Sequence, residues 1–313
     1  MDTSRWPEVY FWLIMGGAFV ANIANGIFQS CVYGIAAKLP VRYTNGVTIG
    51  FNLSGVIAAV FMIVSISVSQ NDRVVAIYLF SFAIAYQMLC FLVEMLVRRN
   101  KFYQYYMINY GDGQLTNNDV EIIKGCNDID KTSKTGVDMY LYVFCKIWLL
   151  LVNIIVTYFI TYSLFPSLQA NIKPVGRIIA DKYFSPIFCF LLFPVFNTIG
   201  NYLAEVSAKP SETLLTVLSL LRLSFIPFFL LCNYYPYDRH MSVLVANDWV
   251  YIAGAISMAV TSGYLSSICI MYCPVGVEPR YASLAGMMAS FSILFGILLG
   301  FTFSLCYPLI LRI

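Results

Sequence analysis

Charge is scarce in this chain of 313 residues. Asp, Glu, Lys and Arg together make up 11% of it, and apolar residues make up 60%. Soluble domains carry about a quarter charged residues, so a water-soluble fold of this size would lack the charge to cover its surface. Histidine is almost missing as well. His240 stands alone in a polar gap, without a second imidazole to share a metal or a proton. No CxxC pair occurs among the nine cysteines, and no GxSxG, HExxH or Walker pattern appears. These absences leave no catalytic residue, metal site or cofactor to expect, and no enzymatic activity. The net charge of +3 is too small to point to nucleic acid, and the N-terminus has no signal-peptide cleavage pattern.

What the chain does have is long apolar runs. Eight of them, near Val9–Ala36, Thr44–Ser69, Val74–Val97, Tyr140–Leu164, Tyr183–Val206, Thr213–Tyr235, Trp249–Tyr272 and Tyr281–Leu311, are separated by polar gaps. About 20 apolar residues in a helix cross the hydrocarbon core. No water is present there, so each segment must satisfy its own backbone groups, and helices do so. The fold class is therefore an all-α polytopic membrane protein. Cys31, Cys90, Cys145, Cys189, Cys232, Cys269 and Cys306 fall inside these runs, where cysteine serves as a small apolar packing residue. The one glycosylation-type triplet, Asn52-Leu53-Ser54, also lies inside a run and reads as a chance match.

The eight spans divide three and five around one long polar interval. Residues 1–98 read as a partial N-terminal sub-bundle, 99–139 as a loop and 140–313 as a C-terminal sub-bundle. The interval is rich in Gly, Asn, Asp and Lys, the composition of a mobile loop, with Thr132, Ser133 and Thr135 as alternative regulatory positions. Its side carries Lys38, Arg42, Arg98, Arg99, Lys101, Lys124, Lys131, Lys134, Lys209 and Arg280, ten cations. The other side carries seven: Arg5, Arg73, Lys173, Arg177, Lys182, Arg239 and Arg312. Lys and Arg accumulate on the cytosolic side, so the loop is expected in the cytosol and both termini outside. An even number of spans with an exterior N-terminus and no signal peptide is uncommon, and implies that spans are missing upstream.

Ionisable side chains within a membrane mark function by default. Lys146 and Glu94 lie within about two turns of a span end, where long side chains reach the interface. Arg222 has no such escape, with Leu214–Leu221 before it and Leu223–Cys232 after. Counted back equally from the turn at Lys209-Pro210, it comes level with about Asn197. The stretch Phe193-Pro194-Val195-Phe196-Asn197-Thr198-Ile199-Gly200-Asn201 reads as a broken helix that lines a cavity. Asn197, Asn201 or a carbonyl freed by Pro194 is then the expected acceptor for the Arg222 guanidinium.

Several of these segments resemble the equilibrative nucleoside transporter family. The residues that carry the resemblance are Gln29–Pro40 followed by Tyr43-Thr44, the paired Gly50 and Gly55, and the aromatic cluster Phe102–Tyr106. Further on come Phe193–Asn197, Leu221-Arg222-Leu223 with Pro227, Leu230–Asn233, Ser262–Ser267 and Ala285-Gly286. The resemblance implies a major-facilitator-like helical bundle of eleven spans (6+5), of which eight (3+5) are present, lacking the first three. It implies facilitative transport of nucleosides or nucleobases by alternating access, in a multi-pass protein of the plasma membrane. Transport by this chain is expected to be impaired. The implied partners are that substrate and the lipid bilayer, with no nucleic acid.

The resemblance also assigns substrate-binding roles to Gln29, Phe193, Asn197 and Arg222. Gln29 and Asn197 would read a base edge through their amides, and Phe193 would stack on its face. Gln29 is expected to face Phe193 and Asn197 across the interface of the sub-bundles. The family's aspartate and arginine that hold ribose hydroxyls fall on Gly200 and Ala204 here. The alternatives are a member with another substrate, such as an organic cation with Glu205 as its carboxylate, or a non-transporting membrane protein. The orientation is checked by labelling. An Asn117→Cys variant should react with a membrane-impermeant maleimide only after permeabilisation, and strong labelling of intact cells would invert the topology.

Overall fold

The computed structural model describes residues 7–68, 72–111, 136–176, 179–207, 210–234 and 243–312. The interval from 112 to 135, with its three hydroxyl-bearing regulatory positions and Asn117, lies outside the described residues, as does His240.

Eight described helical segments are long and apolar enough to cross a membrane, and they coincide with the eight apolar runs. The first three are α1 (Pro7–Ala36), α2 (Val41–Val68) and α3 (Asp72–Arg98). A short α4 (Lys101–Gly111) follows, and α5 (Val137–Leu164) opens the second group. The fifth span is composite: α6 (Asp181–Ser185), a π-helical turn at Pro186–Leu191, and α7 (Leu192–Val206). The sixth joins α8 (Glu212–Leu221) to α9 (Phe225–Leu230) through a 3₁₀ turn at Arg222–Ser224. The last two are α10 (Asp248–Tyr272) and α11 (Ala282–Ser304), followed by a short α12 (Tyr307–Arg312).

Local chemistry sets the ends. Pro7 opens α1 and Pro40 immediately precedes α2, positions where a missing N–H costs nothing. Ser211 caps α8, its Oγ accepting from the Leu214 N–H at 3.3 Å. Asn247 caps α10 by accepting from the Trp249 N–H at 2.9 Å. Such caps satisfy donors left open at a helix start. Helix α5 ends at Leu164, where the following Phe165 is extended, the conformation that Pro166 imposes on its predecessor.

The core belongs to the later spans. One buried cluster joins α5, α10 and α11 with Tyr33 of α1, and a second joins the end of α5 to the fifth span, α9 and α10. Helix α1 lies against α11 and α2 lies against α7 and α10, whereas α3 touches α2 and α4. Phe61 of α2 stacks on Phe82 of α3, with centroids 3.8 Å apart. The N-terminal half of α1 and α3 keep large apolar side chains such as Phe19, Phe80 and Leu96 exposed.

At the end remote from α4, extended segments form a cap. Ile172 pairs with Tyr234 and Cys232 with Val245. The Asp248 carboxylate, at the start of α10, accepts from the Val175 and Gly176 N–H groups at 2.9 and 2.8 Å. A carboxylate there also suits the positive end of the helix dipole.

Small residues bring helices close inside the bundle, as is usual where lipid gives no hydrophobic drive to association. Gly200 of α7 sits against the Val260 carbonyl, and Gly263 of α10 against the Asn197 carbonyl, so that a Cβ on either would collide with backbone. Overpacking of this kind costs about 1–3 kcal/mol. Gly200→Val should therefore lower the unfolding temperature in detergent markedly, whereas Gly46→Ala, with open space around it, should leave it almost unchanged.

Candidate functional site

The polar residues of the early and late spans meet along α2, α7 and α10. Asn197, Asn201 and Glu205 recur every four residues and share one face of α7, while Asn45 and Asn52, seven apart, share a face of α2. Asn52 Oδ1 accepts from Asn197 Nδ2 at 2.9 Å. With the Asn201 amide oriented to suit its neighbours, its Oδ1 accepts from Asn52 Nδ2 at 2.6 Å. Its Nδ2 then donates to Ser267 Oγ at 3.0 Å and to the Gly263 carbonyl at 2.9 Å. One turn toward α4, Asn45 Nδ2 donates to the Asn201 carbonyl at 3.1 Å and reaches Glu205 Oε2 at 3.4 Å. Asn45 and Asn201 are fully buried. This seam ties three helices through amides, groups that both donate and accept, without a net charge apart from Glu205.

Phe193 lies one turn before Asn197 on α7. It is buried and stacks on Phe165, with centroids 4.1 Å apart and planes at 15°. Phe165 continues into Tyr162, and Tyr162 into Tyr158, so aromatic rings follow one another down α5.

Gln29 is half-buried on α1. Its neighbours tie α1 elsewhere: Ser30 meets Ser290 of α11 at 3.3 Å, and Tyr33 meets Thr48 of α2 at 3.2 Å. The side chain that reaches Asn197 is Asn52 from α2.

Arg222 is buried, 2% exposed, and was expected to point toward the fifth span, whereas its guanidinium turns to α5 and α10. Its acceptors are not those expected. Nη2 donates to Thr161 Oγ1 at 2.8 Å and toward the Met258 carbonyl at 3.4 Å, on α5 and α10. The 3₁₀ turn at Arg222–Ser224 explains this, because it tightens the sixth span and rotates the arginine toward α5. The Pro194 carbonyl accepts instead from Thr198 Oγ1 at 2.7 Å within α7. The break in the fifth span also differs from the expectation. It lies before Phe193, in the π-helical turn that starts at Pro186, and residues 192–206 form regular helix. Such turns often occur at functional sites.

Sequence reasoning missed Asn45 and Asn52. The signal is two asparagines seven residues apart in an apolar span, the second of them within the glycosylation-type triplet.

Eight apolar spans, with polar side chains gathered where early and late spans meet, define a polytopic membrane bundle with an internal polar seam. Comparison with known proteins makes this specific. The family model described as nucleoside transporter matches residues 15–309, and the chain belongs to that family. It is 29% identical to equilibrative nucleoside transporter 1 of Homo sapiens over 316 residues, covering 95% of this chain and 69% of the relative. It is 26% identical to equilibrative nucleoside transporter 3 of Rattus norvegicus, covering 96% of this chain and 65% of the relative. For equilibrative nucleoside transporter 4 of Danio rerio the identity is 30%, covering 87% and 60%. The chain thus spans about two thirds of the length of the curated relatives it matches.

The seam yields a stability test. Replacing Asn52 by Leu strands Asn197 Nδ2 and Asn201 Oδ1, and an unsatisfied buried polar group costs about 1–3 kcal/mol. Asn52→Leu should lower thermal stability in detergent by several degrees. Ser54→Ala, which removes only a hydroxyl bonded within its own helix, should not.

Proposed function

We propose that this protein moves nucleosides across the plasma membrane by facilitated diffusion, through alternating access between its early and late spans. The observation that carries the reading is the amide seam of Asn52, Asn197 and Asn201. It lies where α2 meets α7 and α10, and in transporters built of two halves the substrate is held near the midplane at their interface. Asn197 would exchange its bond to Asn52 for a bond to the substrate as the halves part. Phe193 would offer its ring to the base, and Gln29 would approach from α1. Arg222 would act from behind α10, keeping α5 and α10 in register through Thr161 and Met258.

A nucleobase substrate is the second reading, favoured by one observation. Gly200 has no room for a side chain against α10, and Ala204 is buried. No charged pair can therefore clasp ribose hydroxyls on this face of α7. Glu205, the carboxylate that an organic cation would need, is engaged by Asn45 at 3.4 Å.

The test is uptake. Cells that express the gene product should take up uridine saturably and without an ion gradient. Asn197→Leu should lower that uptake more than tenfold while surface expression holds. Excess adenine or uracil should compete strongly under the second reading and feebly under the first. Unchanged uptake by the variant would remove Asn197 from the site, and absence of any uptake would favour a non-transporting role. Liposomes holding the 313-residue chain alone should take up little uridine, because α1 and α3 keep most of their large apolar side chains uncovered. Saturable uptake there would show that these eight spans suffice.

A further inference from the structure

We infer that a buried monovalent anion of halide size is bound between α5 and α8, beside Arg222, a site independent of the transport reading. The two helices meet through polar side chains at regular intervals. Asn153 Nδ2 donates to Thr216 Oγ1 at 3.1 Å, and farther along Arg222 Nη2 donates to Thr161 Oγ1 at 2.8 Å. Between these two contacts the register places Thr157, four residues after Asn153 and four before Thr161. On α8 it places Ser219, three residues after Thr216 and three before Arg222. Thr157 and Ser219 therefore lie on the facing sides of their helices, because i and i+3 or i+4 share a face.

The side chains between the two measured contacts have no partners. Thr157 Oγ1, Ser219 Oγ, Arg222 Nε and Arg222 Nη1 are all buried without a hydrogen bond. Thr157 and Ser219 are fully buried and Arg222 is 2% exposed. The guanidinium is a donor only, and both hydroxyls can donate. The cluster therefore offers two hydroxyls and unbonded guanidinium donors with a positive charge, on the facing sides of adjacent helices. Neither described ion pair includes Arg222, since these join Arg98 to Glu94 and Arg280 to Glu278. The buried carboxylate of Asp248 is taken by backbone N–H groups at the cap. A lone guanidinium inside a membrane costs several kcal/mol, and unbonded polar groups there add to that cost. Water would satisfy donors but leave the charge, whereas a small anion answers both.

The experiment uses the full chain in detergent, with chloride replaced by gluconate at constant ionic strength. The unfolding temperature should rise saturably with chloride, by about 5 °C at a hundredfold excess over Kd. The Thr157→Val/Ser219→Ala double variant should raise the half-saturating chloride concentration at least tenfold, and Arg222→Gln should abolish the dependence. Ser54→Ala should keep it intact. If the variants do not fold, bromide-soaked crystals of the unsubstituted protein decide, with an anomalous peak expected in contact with Arg222. Equal unfolding temperatures in chloride and gluconate, a chloride effect unchanged by the double variant, or bromide found only elsewhere would overturn the site.

Discussion

The backbone contact between α7 and α10 at Gly200 and Gly263 is the constraint on which the polar seam depends. With no side chain at either position, the helices approach until Asn201 reaches both the Gly263 carbonyl and Ser267. That proximity also fixes where the amide of Asn201 must turn its oxygen, and so where Asn52 of α2 must sit. A single added methyl group at Gly200 would push α7 off α10 and open several hydrogen bonds together. In a bilayer those bonds have no water to replace them, so the close packing and the network stand or fall as one unit.

The two polar regions of the bundle differ in kind. The seam of Asn45, Asn52, Asn197 and Asn201 is made of neutral amides that trade bonds with one another, and neutral groups can exchange partners at modest cost. The region around Arg222 holds a fixed charge behind α10, bonded to Thr161 and Met258. A charge inside the membrane resists movement, since each displacement must carry its counter-groups along. The bundle thus sets a seam of neutral amides on one face of α10 and a charged contact on the other.

Burial is uneven across the spans, and this has the same origin. Helices α10 and α5 pass through the middle of the later group and bury polar as well as apolar residues. Among the described residues, α3 and the first half of α1 bury no side chain fully and carry exposed Leu, Ile and Phe. Lipid accepts such surfaces, and for that reason apolarity alone does not report which spans are central. What separates them is the content of small and polar residues, high in α10 and low in α3.

The number of spans and nearly all their limits are legible in the order of residues alone. Twenty apolar residues in a row have no other stable home than a helix across lipid, and the runs from Val74 to Val97 and from Trp249 to Tyr272 became α3 and α10 within a few residues. The order of residues also marked Asn197 and Arg222 as unusual, because a polar residue in such a run is costly wherever it points. The family was legible too, in ordered motifs such as Gln29–Pro40 and Ser262–Ser267. Which group satisfies which was decided only by the tertiary structure. Asn197 found Asn52 on α2, and Arg222 found Thr161 on α5, because a tight turn at Arg222–Ser224 and a π-helical turn at Pro186–Leu191 rotate whole helix faces. Such rotations follow from packing among helices distant in the chain, and the spacing of residues along one helix carries no record of them.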